Sequence, residues 1–107
     1  MTNFNDRERA EEAKYAMDAD TAFRVAARRN RLLGEWAAAK MGLTPEESEA
    51  YRKAVIQADF EEAGDEDVIR KVLGDLIAAG VDTDEATVRA TLEEKGVEAR
   101  RQLMSES

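Results

Sequence analysis

Hydrophobic positions recur at helical spacing along almost the whole chain, and no segment alternates with the two-residue period of a strand. Glycine and proline divide this pattern into four helices after a charged N-terminal segment. The spacing predicts helices over about 19–41, 45–62, 66–79 and 83–103, with residues 104–107 frayed. Because only two to four residues connect successive helices, we expect an all-α fold, a compact antiparallel four-helix bundle.

The first predicted helix has the widest apolar arc, so we expect it to lie at the centre of the bundle and to touch several neighbours. Asn30 falls in the middle of that arc. It should find backbone or side-chain partners and tie a loop or fix the register, because an unpaired buried amide costs about 1–3 kcal/mol. Trp36 is expected to pack in the core. The main apolar stripe comprises Ala19, Ala22, Phe23, Ala26, Ala27, Leu33, Ala37 and Met41.

The signals that end one helix and start the next are clearest between the first two helices. Gly42 is expected to end the first helix in a left-handed conformation. Thr44 then supplies an N-cap hydroxyl, Pro45 occupies the first helical position and Glu47 follows three residues after the threonine. This combination predicts a capping box at the start of the second helix.

Acidic residues mark the starts of the last two helices. Asp65 is expected to cap the third helix, and Asp82 with Glu85 forms a candidate capping pair for the fourth. The predicted buried faces are Tyr51, Ala54, Val55, Ala58 and Phe60 in the second helix, Ile69, Val72, Leu73, Leu76 and Ile77 in the third, and Val88, Leu92, Ala99 and Leu103 in the fourth.

Residues 1–18, called the arm below, differ from the bundle. Their helical stripe consists mainly of alanines, with Phe4 isolated ahead of it. At roughly 25 cal/mol per Å², so thin a face offsets little of the ~1–2 kcal/mol per residue that ordering the backbone costs. We therefore expect the arm to be disordered or nascently helical in the free protein.

Composition excludes several functional classes. The 107 residues include 24 acids, 16 bases, no histidine and no cysteine, for a net charge of −8. Disulfides, Cys/His metal sites and imidazole catalysis are therefore absent. The acidic total disfavours nucleic acid, and no apolar segment is long enough to enter a membrane. The acidic cluster 59–67 lacks EF-hand spacing. We expect no enzyme activity, no metal and no cofactor.

One positive cluster interrupts the acidic background. The stretch 21–34 contains four arginines and no acid. In one interpretation these arginines pair with acids on the other helices. In the alternative, the chain is a small helical regulatory protein whose guanidinium groups hold the phosphate of weakly bound ATP or ADP. The cluster is Arg24, Arg28, Arg29 and Arg31.

Several segments together resemble the zeta inhibitor subunit of alphaproteobacterial F-type ATP synthases. They are FNDRERA at 4–10, EAKY at 12–15, ARRNRLLG at 27–34, ADFEE at 58–62 and GDEDV at 64–68. The likeness extends over essentially the whole chain in order.

The resemblance implies a regulatory subunit that inhibits ATP hydrolysis. In that family the arm orders as a helix at a catalytic alpha–beta interface near the gamma subunit of the catalytic head, and a four-helix domain stays outside. Such a protein is cytoplasmic and peripheral to the inner membrane. The matching arm positions, expected to contact the partner, are Phe4, Asp6, Arg7, Glu8, Arg9, Ala10, Ala13 and Lys14.

Overall fold

The computed structural model describes the backbone of residues 2–61 and 64–106, and the side chains of residues 20–59 and 64–106. In these ranges the chain forms four helices and no strand, which confirms the predicted all-α bundle. The helices are α1 (Thr2–Met41), α2 (Pro45–Glu61), α3 (Glu66–Ala78) and α4 (Glu85–Glu106).

The central position predicted for the first helix is confirmed. In the described part of the chain α1 packs against α2, α3 and α4, whereas the backbones of α2 and α4 do not approach each other closely. Trp36 packs against the core as predicted, with the Lys40 Nζ 5.7 Å from its ring centroid. The buried core residues are Leu33, Ala37, Val55, Val68, Ile69, Val72, Leu76, Val88 and Leu92.

The junction between α1 and α2 follows the sequence closely. Gly42 has a φ of +71°, in the left-handed region, and the Leu43 amide donates to the Ala38 carbonyl at 3.1 Å. The Thr44 amide donates to Glu47 Oε1 at 2.8 Å, and the Glu47 amide donates to Thr44 Oγ1 at 3.2 Å. The predicted capping box is therefore present, and α2 begins at Pro45.

The buried face of α3 is rotated relative to the prediction. Ile77 was expected in the core but is 57% exposed, whereas Val68 is fully buried. At 100° per residue, the centre of the buried face lies about 50° closer to Val68 than the predicted stripe does. The apolar spacing alone did not reveal this, because Val68 to Ile77 forms one wide arc of which neighbouring helices cover only part.

Two expectations for the ends of α4 are wrong. The helix begins at Glu85, and its cap is Asp84, whose Oδ1 accepts from the Thr87 amide at 2.8 Å, so Asp82 and Glu85 are not the capping pair. This hydrogen bonding lowers the pKa of Asp84. At the other end the helix continues to Glu106 instead of fraying after residue 103, since Glu106 pairs with α1.

The backbone of residues 2–18, the arm, forms the first part of α1. The side chains of the arm lie outside the described part, as do those of Ala19 and Phe60, for which burial was expected. Residue 107 also lies outside it.

Candidate functional site: the projecting end of α1 and its arginine face

The part of α1 whose side chains are described begins with an exposed stretch. Residues 20–24 are all exposed, and Phe23, which the sequence placed on the apolar stripe, has an exposed fraction of 56%. A helix turn needs about 3.6 residues, so five consecutive exposed positions leave no face buried. Contact with the bundle increases from Val25 onward. Residues 20–24 of α1 therefore lie at the margin of the bundle, and the helix becomes part of its packed interior from about residue 25.

All eight arm residues expected to contact a partner belong to the part of α1 whose side chains are not described. Their contact with a partner stays a prediction. The residues are Phe4, Asp6, Arg7, Glu8, Arg9, Ala10, Ala13 and Lys14.

Arg28 ties α1 to the last turns of α4. Its Nη1 and Nη2 donate to the two carboxylate oxygens of Glu106 at 2.6 and 3.2 Å, and Nη1 also lies 3.3 Å from the side-chain oxygen of Gln102. These charge-assisted bonds lower the pKa of Glu106 and raise that of Arg28. The terminal N–H groups of Arg28 are therefore already engaged by acceptors within the protein.

Arg29 joins α1 to the boundary between α2 and α3. Its Nη2 lies 3.1 Å from Asp65 Oδ1 and 3.9 Å from Asp59 Oδ2, and only 16% of its side chain is exposed. A Cβ on Gly96 of α4 would stand 3.5 Å from Arg29 Cδ, so the arginine stem passes close to that glycine. One side chain therefore lies where all four helices meet.

Asn30 is buried as predicted, with 1% of its surface exposed. Its Oδ1 accepts a hydrogen bond from Arg29 Nε at 3.1 Å, and through that arginine it is linked to Asp65 and Asp59. Its Nδ2 has no hydrogen-bond partner among the residues that the structure describes. The expected partners are thus only half present, and the tie to the α2–α3 boundary is indirect.

Asp65 occupies the N-cap position of α3, but its carboxylate makes no capping hydrogen bond. Its backbone is helical there, with φ −89° and ψ −8°, instead of the extended conformation typical of a capping residue. The carboxylate binds Arg29 instead. The cap position was predicted correctly, and the role of the side chain was not.

The remaining two arginines of the cluster point elsewhere. Arg31 is exposed and lies 3.8 Å from Glu35 of the same helix, and Arg24 has no ion-pair partner among the described side chains. The four guanidinium groups therefore do not converge, as a bidentate phosphate site would need. This geometry favours the intramolecular interpretation of the cluster.

A second group of basic residues, on α4, was not predicted from the sequence. Val97, Arg100, Arg101 and Met104 are exposed and follow one another at spacings of three, one and three residues. That spacing places them on the outward face of the helix. The helical spacing of Ala99 and Leu103 predicts the buried face of α4 and gives no information about the opposite face.

The described residues hold no group of three or more acidic side chains arranged for a metal ion, and none of their helices combines the length and apolarity needed to cross a membrane.

Comparison with known proteins assigns the chain to a family. A comparison with curated proteins finds no match. A protein whose structure was determined in solution by NMR is similar, with 49% sequence identity, a TM-score of 0.70 and coverage of 79% of this chain and 96% of that one. The family model described as ATPase inhibitor subunit zeta matches residues 1–102. The chain therefore belongs to the ATPase inhibitor subunit zeta family.

Proposed function

We propose that this protein inhibits ATP hydrolysis by an F-type ATP synthase by inserting its arm, as a helix, at a catalytic alpha–beta interface of the catalytic head near the gamma subunit. Membership of the inhibitor family supports an inhibitory, non-catalytic role. The single structural observation that supports the proposed mode is the exposed stretch 20–24 of α1, which directly follows the arm and lies at the margin of the bundle.

The dimensions suit insertion. If residues 2–24 stay helical they extend about 35 Å, which is long enough to enter a crevice between subunits while the bundle remains outside. The stripe predicted for the arm consists mainly of alanines, so we expect it to pack weakly on the bundle and to be available to a partner. Such a segment loses its conformational entropy on binding and in return contacts a large surface.

Arg28 and Arg29 link α1, and through it the arm, to the other helices of the bundle. Arg28 binds α4, and Arg29 binds the acids at the ends of α2 and the start of α3. Force on the arm is therefore carried into the bundle through α1 and several side chains. The bundle acts as a stopper that is too wide to follow the arm, so a rotor turning in the hydrolysis direction is blocked. The protein would be cytoplasmic and peripheral to the inner membrane through this partner.

ATP hydrolysis by the isolated catalytic head tests the proposal. The full chain is expected to inhibit, and a variant lacking residues 1–18 is expected to lose inhibition while keeping the circular dichroism melting transition of the bundle. Equal inhibition by both proteins, or none by either, would contradict the proposed mode.

A matched pair of proline variants tests whether the arm acts as a helix. Thr2 is the first residue of α1, where proline removes no helical hydrogen bond, so Thr2→Pro should inhibit like the wild type. Ala13→Pro lies inside the helix and costs about 3 kcal/mol of helix stability. It should raise the inhibitory concentration by roughly a hundredfold. Equal potency of the two variants would show that the bound arm is not helical at Ala13.

Nucleotide binding remains the other candidate for the arginine cluster, and no contact in the structure favours it. Titration with ATP or ADP, followed by NMR, should produce no saturable shift at Arg28 or Arg29, because both already hold carboxylates. A saturable shift at these residues would restore the alternative.

A further inference from the structure

The last two turns of α4 present one face to α1. Its members follow one another at spacings of three, one and three residues, which places them on the same side of a helix. Ala99 is fully buried, and both Gln102 and Glu106 accept hydrogen bonds from Arg28 of α1. The face comprises Ala99, Gln102, Leu103 and Glu106.

The pair of Arg28 with Glu106 lies where α1 passes from exposed to packed. Residues 20–24 are exposed, whereas residues 25–29 are half-buried. Among the described side chains, Arg28 is the first along α1 to form an ion pair with another helix, and Glu106 is the last residue of α4. The end of α4 therefore coincides, within about one helical turn, with the start of the packed part of α1.

The geometry of this pair fixes an orientation as well as a distance. Two guanidinium nitrogens of Arg28 donate to the two carboxylate oxygens of Glu106 at 2.6 and 3.2 Å, and such a fork holds both groups in one plane. The 3.3 Å contact with Gln102, one turn earlier on α4, adds a second point of attachment. Because the Glu106 side chain is 56% exposed, the pair contributes little to the stability of the whole bundle.

We propose that Arg28, Gln102 and Glu106 are positioning residues, which fix the direction of α1 at the margin of the bundle and so the orientation in which the arm meets the catalytic head. This inference rests on the proposed function, which by itself requires only that the arm be attached. An arm that is already oriented reaches the bound geometry in more of its encounters, so association is faster. The contacts that the inserted arm makes are the same, so dissociation depends little on the pair.

Amide hydrogen exchange of the full chain, followed by NMR, tests the structural part without a partner. Glu106→Gln replaces the carboxylate with a neutral group of the same shape, and it should speed exchange at the amides of residues 25–28 about threefold. Glu49→Gln is the matched control, because Glu49 is 53% exposed and pairs with Arg52 within α2. The control should leave exchange at residues 25–28 unchanged. Unchanged exchange in Glu106→Gln as well would overturn the inference.

Association of the full chain with the catalytic head tests the positioning role. Arg28→Glu and Glu106→Arg each turn the attraction into a repulsion, and each should slow association about fivefold while the dissociation rate stays within about twofold. The double variant restores an opposite-charge pair and should associate within about twofold of the wild type. The two single variants change the net charge in opposite directions. Long-range attraction or repulsion by the catalytic head would therefore slow one and speed the other.

Circular dichroism melting of each variant verifies that the bundle is folded. Should Arg28→Glu not fold, Glu106→Gln and Glu106→Arg, at the exposed end of the pair, decide the result. If the wild type neither binds nor inhibits the catalytic head, the proposed function fails and the positioning role fails with it. If the wild type inhibits but the single variants associate at its rate, or the double variant does not recover, the arm mechanism stands and the positioning role is refuted.

Discussion

Helix α1 approaches α2 closely at Gly34, which makes this glycine a sensitive test of the packing between the two helices. A Cβ built on Gly34 would lie 3.1 Å from the Cα of Arg52, a backbone atom that moves only if the helix moves. Around Gly74 of α3, by contrast, nothing lies within 4 Å of such a Cβ. Both glycines are in helix interiors, so the same substitution to alanine separates helix propensity from packing.

Both changes gain about 1 kcal/mol of helix propensity. At Gly74 nothing opposes this gain, so Gly74→Ala should stabilise the protein by nearly that amount. At Gly34 overpacking against α2 costs about 1–3 kcal/mol, and we expect a net loss of ~1 kcal/mol. The two variants should then differ by about 10 °C in melting temperature.

Thermal and urea unfolding measure the difference, and a constant m value verifies that the same surface is exposed on unfolding. Gly74→Ala should inhibit ATP hydrolysis like the wild type, which isolates stability from function. A Gly34→Ala protein as stable as Gly74→Ala would refute the inference that α1 and α2 are in close backbone contact at this position.

Arg29→Met should lower the free energy of unfolding, measured in urea, by about 1–2 kcal/mol, because it leaves Asp65, Asp59 and Asn30 Oδ1 without their donor. Arg31→Met should lower it by less than about 0.5 kcal/mol, because the pair of Arg31 with Glu35 is exposed. Equal losses would contradict the structural role of Arg29. The melting temperature should stay constant between about pH 6 and 8, because the chain has no histidine. Bound arginines lower the pKa of Glu66 and Glu106 in the folded state, so their contribution is present above the ordinary value of 4.5 and is lost as pH falls below it. A transition near pH 7 would contradict this.

Features that depend on a few adjacent residues were predicted best. The Thr44–Pro45–Glu47 capping box and the left-handed Gly42 were both found where the sequence placed them, because their hydrogen bonds join residues within one turn. Local signals are ambiguous where several adjacent residues could each cap the same helix. Asp82, Thr83 and Asp84 are all able to cap α4, and only Asp84 does so.

Features that depend on contacts between helices were predicted only in outline. The sequence indicated that the arginines of α1 pair with acids on other helices, but it did not identify Glu106 and Asp65 as the partners of Arg28 and Arg29. The exact face that α3 buries was also missed, since Ile77 is exposed and Val68 is not.

The sequence by itself determined the four helices, the capping box at the start of α2 and the family, because periodicity, adjacent capping residues and a co-linear set of motifs are local or ordered properties of the chain. The tertiary structure decided where α1 leaves the bundle and which charges remain available to a partner. Burial and ion pairing depend on how far each neighbouring helix reaches. Arg28 and Arg29 are therefore occupied inside the protein, whereas Arg100 and Arg101, equally basic in the sequence, stay on its surface.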